Sequence, residues 1–241
     1  MNKKLYCFTL SVILCLAFVP AAMASDGPCV QNTMSDYITD FGPTVPPSPA
    51  GCTIGALTFN NFDYFSADVS ASGVEVTPGQ PPTVGFADGP GFQFNGAWSA
   101  TTPGSTADAD VTFDVTAAPG TEIADVDIIL GAGSVTGTGS ATYDEEVCNA
   151  QSVCIDLQAT PGATSQNILV NLSNTALGGP QTFLSIEKDL SLSAGSAGTA
   201  AFSSFGNQYS LVPEPRGLSL AAGLGLLLGL AFFKRRQIAQ S

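Results

Sequence analysis

The residues best able to do chemistry in this 241-residue chain are carboxylates, and they fall in alternating runs. From Asp108 to Thr116, the residues Ala109, Val111, Phe113 and Val115 alternate with Asp108, Asp110, Thr112, Asp114 and Thr116. That period places acids and apolar side chains on opposite faces of a strand. From Glu122 to Leu130, Ala124, Val126, Ile128 and Leu130 alternate with Asp125 and Asp127 in the same way, and Ala118-Pro119-Gly120 lies between the two runs. A hairpin closing at Pro119-Gly120 sets Asp114 opposite Asp125 and Thr112 opposite Asp127. Directly opposed like charges weaken a sheet unless a cation lies between them, and oxygen ligands of this kind suit calcium. Asp114, Asp125 and Asp127 are therefore the candidate Ca2+ ligands, set against the plainer expectation of a solvated acidic face and no cofactor.

Other chemistry is restricted. The chain has no histidine, which removes Ser-His-Asp and Cys-His nucleophilic arrangements. A pair of carboxylates could hydrolyse glycosides, but with twenty Asp and Glu some pair meets the spacing by chance, so no enzyme is expected. Gly131-Ala132-Gly133-Ser134 leads from strand into strand, not into a helix as a phosphate-cradling loop requires. Trp98, Phe92, Phe94 and Tyr64 could form a sugar-stacking platform, which would make the chain a carbohydrate-binding module. The alternation of Phe92 and Phe94 favours core packing instead.

The C-terminus has three parts in order. Pro213-Glu214-Pro215 is extended, because each proline fixes its own φ and pushes its predecessor out of the helical region. Leu218 to Phe233 holds only Leu, Ala, Gly, Phe and one Ser, about 24 Å of helix at ~1.5 Å per residue. Lys234, Arg235 and Arg236 follow as a basic stop that belongs on the cytoplasmic side. This arrangement resembles the PEP-CTERM sorting signal of Gram-negative bacteria, and the likeness covers about the last thirty residues. In that family a membrane-embedded cysteine protease, exosortase, reads the signal and cuts near the Pro-Glu-Pro motif, in the context of exopolysaccharide and biofilm production. The resemblance implies that Pro213, Glu214 and Pro215 are the recognition residues and exosortase a partner. Arg216 and Gly217 stand where small, hydroxyl or aromatic residues are frequent, so the position of the cut stays open.

The N-terminus complements this end. Lys3-Lys4, the apolar run Leu5 to Val19 and Ala22-Met23-Ala24 form a signal peptide over residues 1–24 with an A-x-A cleavage site. Residues 25–212 then form one exported domain, and 213–241 the sorting signal. Within 25–212, Lys188 is the only cation against nineteen acids, a net charge of −18. Such a body repels nucleic acid and anionic head groups.

Four cysteines remain in the domain, Cys29, Cys52, Cys148 and Cys154, an even number bound for an oxidising compartment. Three pairings are open, and the two that close local loops, Cys29 with Cys52 and Cys148 with Cys154, are favoured. Eight or more short runs of alternating or β-branched residues, punctuated by Pro-Gly and Asp-Gly turns, predict an all-β, disulfide-stapled β-sandwich, jelly-roll-like. Strands are expected at Ile54–Phe65, Gly73–Thr77, Thr83–Phe86 and Phe92–Ala100, then at 108–116, 122–130, 134–143, 153–158, 167–172, 181–186, 190–192 and 199–205. The expected role is structural or adhesive, in the envelope or extracellular matrix and associated with exopolysaccharide, after a transient anchor in the inner membrane. The alternatives are a carbohydrate-binding module and a glycan hydrolase.

Overall fold

The computed structural model describes residues 27–43, 51–81, 89–162 and 164–213. The signal peptide, the motif beyond Pro213, the apolar run 218–233, the basic tail 234–236 and the strand expected at Thr83–Phe86 lie outside the described residues. Among the described residues no helix is long and apolar enough to cross a membrane.

The chain runs β1 (Gly27–Pro28), β2 (Asn32–Thr33), helix α1 (Met34–Phe41), β3 (Cys52–Ile54), β4 (Leu57–Phe65), β5 (Glu75–Gly79), β6 (Gly91–Ala100), β7 (Thr106–Ala117), β8 (Thr121–Leu130), β9 (Gly133–Thr136), β10 (Ser140–Asn149), β11 (Cys154–Ala159), β12 (Gln166–Asn171), β13 (Phe183–Ser193) and β14 (Thr199–Pro213). These make two seven-stranded sheets. The first has the order β1-β3-β4-β7-β13-β10-β11, and the second β12-β8-β14-β6-β5-β2, with β9 pairing β14. The all-β sandwich expected from alternation is what the chain forms. Both expected disulfides are present, Cys29–Cys52 and Cys148–Cys154. The first closes a 23-residue separation, which on the chain-entropy account stabilises the fold by about 3 kcal/mol.

The interior lies between the sheets. Ala109, Val111, Phe113 and Val115 of β7 are buried, as their alternation requires, against Phe92, Phe94 and Phe205 of the second sheet. Helix α1 covers one end of this core with Met34 and Tyr37. The sequence suggests an irregular covering segment over Asp36–Pro49, with a short helix at Met34–Thr39 as an alternative that its length does not support by itself. The helix forms because Thr33 caps it, its Oγ1 accepting from the Asp36 backbone N–H at 3.2 Å, and because the Tyr37 ring packs edge-on against Phe62 and Phe92.

One expected pairing is wrong in an instructive way. β7 and β8 do not form a hairpin: β7 lies between β4 and β13 in the first sheet, and β8 between β12 and β14 in the second. The Pro119-Gly120 turn, with Gly120 at φ 88°, a conformation that favours glycine, carries the chain from one layer to the other. Asp114 is therefore opposite Ser185 and Asn60, whereas Asp125 is opposite Asn171 and Ser210, and Asp127 opposite Leu169 and Gln208. The calcium constellation expected of Asp114, Asp125 and Asp127 does not form, because Asp114 lies on the first sheet and Asp125 and Asp127 on the second. Alternation had assigned each run a buried face, but it carries no information about which sheet buries it.

Candidate functional site

Two features stand out, one on the outer face of the first sheet and one directly beneath it. Because β7, β10 and β13 alternate strictly, every second residue points outward, and acids cluster among those residues near the middle of the strands. Register places Asp110, Asp189 and Asp144 side by side on β7, β13 and β10. The next row sets Glu187, Glu146 and Asp156 side by side on β13, β10 and β11. Opposed like charges at this spacing destabilise the pairing. Partial burial first, and then the carboxylates around them, hold Asp110 and Asp189 above the ordinary aspartate range: Asp189, Asp108 and Glu187 act on Asp110, and Asp144, Asp108 and Glu187 on Asp189. One neutral side chain relieves the end of the row, Gln158 Nε2 donating to Asp144 Oδ1 at 2.7 Å.

The sign of the resulting pH dependence is fixed. A carboxyl whose folded pKa is raised favours the folded state while protonated, and that contribution is lost as pH rises through the raised value. Asp110 and Asp189 thus make the domain gain stability as pH falls from neutral into mild acid. Asp189→Asn removes repulsion on both flanks at once. It should raise stability by a few tenths to about 1 kcal/mol, read as a higher urea midpoint at pH 7, and should flatten the profile between pH 7 and mild acid. Added salt should narrow the gap between variant and parent, since exposed charges are screened over about 10 Å at 0.1 M.

Under this face lies a buried polar cluster. Lys188 on β13 and Glu145 on β10 point inward and are 0% and 1% exposed. Lys188 Nζ lies 2.5 Å from Glu145 Oε2 and donates to the Tyr143 hydroxyl at 2.9 Å. That hydroxyl donates to the same Glu145 Oε2 at 2.6 Å. Across the interior, Asn207 of β14 donates its Nδ2 to Glu145 Oε1 at 2.8 Å. Phe113 and Tyr143 present their rings to Lys188 Nζ at 5.8 and 5.7 Å, within the range of a cation–π contact. Burial pulls the Lys188 amine below the ordinary lysine value, and the Glu145 carboxylate opposes that pull. Burial also pushes the hydroxyls of Tyr143 and Tyr209 well up, with the charge of Glu145 adding to it.

No family model matches the sequence. No curated protein matches it either. Among solved structures, TmCBM61 in complex with β-1,4-galactotriose is 10% identical, with 64% of this chain and 88% of that chain covered at a TM-score of 0.34. The enzymatically active domain of tailspike protein 4 from bacteriophage CBA120 is 17% identical, covering 66% and 20% at 0.29. The family 11 carbohydrate-binding module from Clostridium thermocellum, in complex with a mixed-linked tetrasaccharide, is 10% identical, covering 61% and 88% at 0.26. At these identities and TM-scores none of the three carries its ligand or its activity over to this chain.

The residues singled out in the sequence are dispersed. Trp98, Phe92 and Phe94 are fully buried, so they cannot stack on a sugar. Trp98 Nε1 donates instead to the Tyr64 hydroxyl at 3.2 Å, and that hydroxyl donates to the Val69 carbonyl at 2.8 Å. Asp114 meets Asn61, which donates to it from a bulge in β4 at φ 56°. Asp127 accepts from Gln208 Nε2 at 2.6 Å on the second sheet. Glu145 and Asn207 were not singled out, and Lys188 stood out only as the lone cation of residues 25–212. Their signal was phase: Lys188 continues Leu184, Ile186, Leu190 and Leu192; Glu145 continues Tyr143 and Val147; Asn207 continues Phe205 and Tyr209. A polar residue in phase with a buried run asks for buried partners.

Proposed function

We propose that this is an exported, non-catalytic protein with a structural or adhesive role in the envelope or extracellular matrix of a Gram-negative bacterium. Residues 1–24 direct export, the run 218–233 holds the precursor in the inner membrane, and an exosortase cuts near Pro213-Glu214-Pro215. The observation that carries this reading is the path of β14. This central strand of the second sheet pairs as far as Val212 with Glu122 and Pro213 with Thr121, and Pro213 is exposed at its end. The pairing of β14 therefore reaches the first residue of the Pro-Glu-Pro motif, with no linker before it. Its chemistry fits a passive role, since the chain has no histidine and the four cysteines of the domain are paired.

The test is Glu214→Ala in a host that holds the sorting peptidase. The variant should stay in the inner-membrane fraction while the parent chain is released. Equal release of both contradicts the sorting reading.

A second reading, polysaccharide binding, has one observation in its favour. The outer face of the second sheet carries uncharged hydrogen-bonding side chains in a strip: Gln93 donates to Ser204 Oγ at 3.0 Å, and Asn95 to Thr77 Oγ1 at 3.1 Å. Retention of the full chain on the producer's exopolysaccharide, lost in Gln93→Ala/Asn95→Ala, supports it, and no retention of the parent removes it.

A further inference from the structure

Lys188, Glu145 and Asn207 are an amine, a carboxyl and a primary amide gathered in the buried interior. The amine and the amide do not merely share a neighbourhood. They share one carboxyl group, Lys188 Nζ on Oε2 at 2.5 Å and Asn207 Nδ2 on Oε1 at 2.8 Å. The amide oxygen of Asn207 has no hydrogen-bond partner among the described residues, and neither has the hydroxyl of Tyr209. Around them the walls are aromatic: Phe113 and Tyr143 flank the amine, and Phe205 packs 5.6 Å from Tyr143 and 5.1 Å from Trp98. An amine in such a place loses little by giving up its proton, because burial disfavours the charged form. Reactants held side by side by one group also escape most of the entropic cost of meeting.

We propose that Lys188 and Asn207 join in an intramolecular isopeptide bond, with Glu145 as the proton-transferring catalytic residue. Lys188 hands a proton to Glu145 and attacks, as the neutral amine, the side-chain carbonyl carbon of Asn207. Glu145 gives a proton to the departing amide nitrogen and takes one from the attacking nitrogen. The bond from Nζ to Cγ forms, the bond from Cγ to Nδ2 breaks, and one molecule of ammonia leaves. No oxidant, metal or cofactor is consumed, and nothing is reduced.

The product ties β13 of the first sheet to β14 of the second. The sandwich would then be closed covalently by a bond that reducing agents do not open, in addition to its two disulfides. In a plain buried ion pair Asn207 would serve only to satisfy Glu145 Oε1; in the bonded product it has a second use. Its amide is then the electrophile.

The sequence supplies an unusually direct test. Lys188 is the only Lys or Arg between Lys4 and Arg216, and trypsin cuts after lysine only where the side-chain amine is free. The full chain is purified, denatured, reduced, alkylated and digested. With the bond in place, cutting after Lys188 fails, and the peptide spanning residues 188 and 207 is lighter than its encoded mass by one ammonia. Asn207→Ala and Glu145→Ala should restore the cut and the encoded mass. If either variant fails to fold, Lys188→Arg supplies the control: its guanidinium does not acylate, so position 188 is cut and the mass is as encoded. A parent chain cut after Lys188, with both peptides at their encoded masses, overturns the proposal.

Discussion

Relative to the chain in which Lys188 is still a free ammonium, replacing it by methionine should cost the domain about 3–5 kcal/mol, among the largest losses expected from a single change in it. Methionine fills much the same volume, so the loss is not one of packing. It comes from Glu145, which is 1% exposed and holds Lys188 Nζ at 2.5 Å. Without the ammonium, the carboxylate keeps the Tyr143 and Asn207 hydrogen bonds but no compensating charge. Taking a carboxylate out of water without a cation costs far more than one hydrogen bond returns. For a domain of this length the midpoint of thermal unfolding should fall by about 6–20 °C. Adding Glu145→Leu to Lys188→Met should recover the part due to the stranded carboxylate. A Lys188→Met chain as stable as its parent would mean that the cluster contributes nothing to the fold.

Phe92→Ala should cost a similar amount, about 3–5 kcal/mol, for a different reason. Phe92 is fully buried, and its ring joins three elements. It meets Phe59 and Phe62 of β4 edge-on at 4.7 and 5.5 Å, and Tyr37 of α1 at 5.6 Å. Truncation leaves a void that rigid neighbours on both sheets cannot fill. Urea unfolding should show a lower midpoint with an unchanged slope, the mark of lost stability without a changed unfolded state. The same variant separates packing from recognition. Because Phe92 never reaches the surface, any retention on polysaccharide by the folded fraction should be unaffected.

Strand positions were largely legible where apolar alternation was unbroken. The run expected at 108–116 is β7 (Thr106–Ala117), and the one expected at 122–130 is β8 (Thr121–Leu130). Lys188 hid a strand: runs expected at 181–186 and 190–192 are one strand, Phe183–Ser193. A lysine at an inward position reads as a break until Glu145 on the neighbouring strand is known to meet it, and that meeting spans 43 residues of sequence. The strand expected to end at Phe205 runs on to Pro213 for a related reason. Asn207 and Gln208 interrupt the apolar pattern, yet both are buried, the first against Glu145 and the second against Asp127. The acidic face was legible as a face but not as a register. Asp110, Asp189 and Asp144 come from three strands whose order in the sheet, β7-β13-β10, is not their order in the chain. Local disulfides were the readable tertiary contacts, because short loops close at the lowest entropic cost.

The reading of the chain as a sorted and processed export is tested most directly by the mass of the form recovered outside the inner membrane. Intact-mass spectrometry should find a chain that begins at Ser25 and ends within the Pro213 to Gly217 stretch. Recovery of a chain still carrying its apolar run and Ser241, in a host that possesses the sorting peptidase, would contradict it.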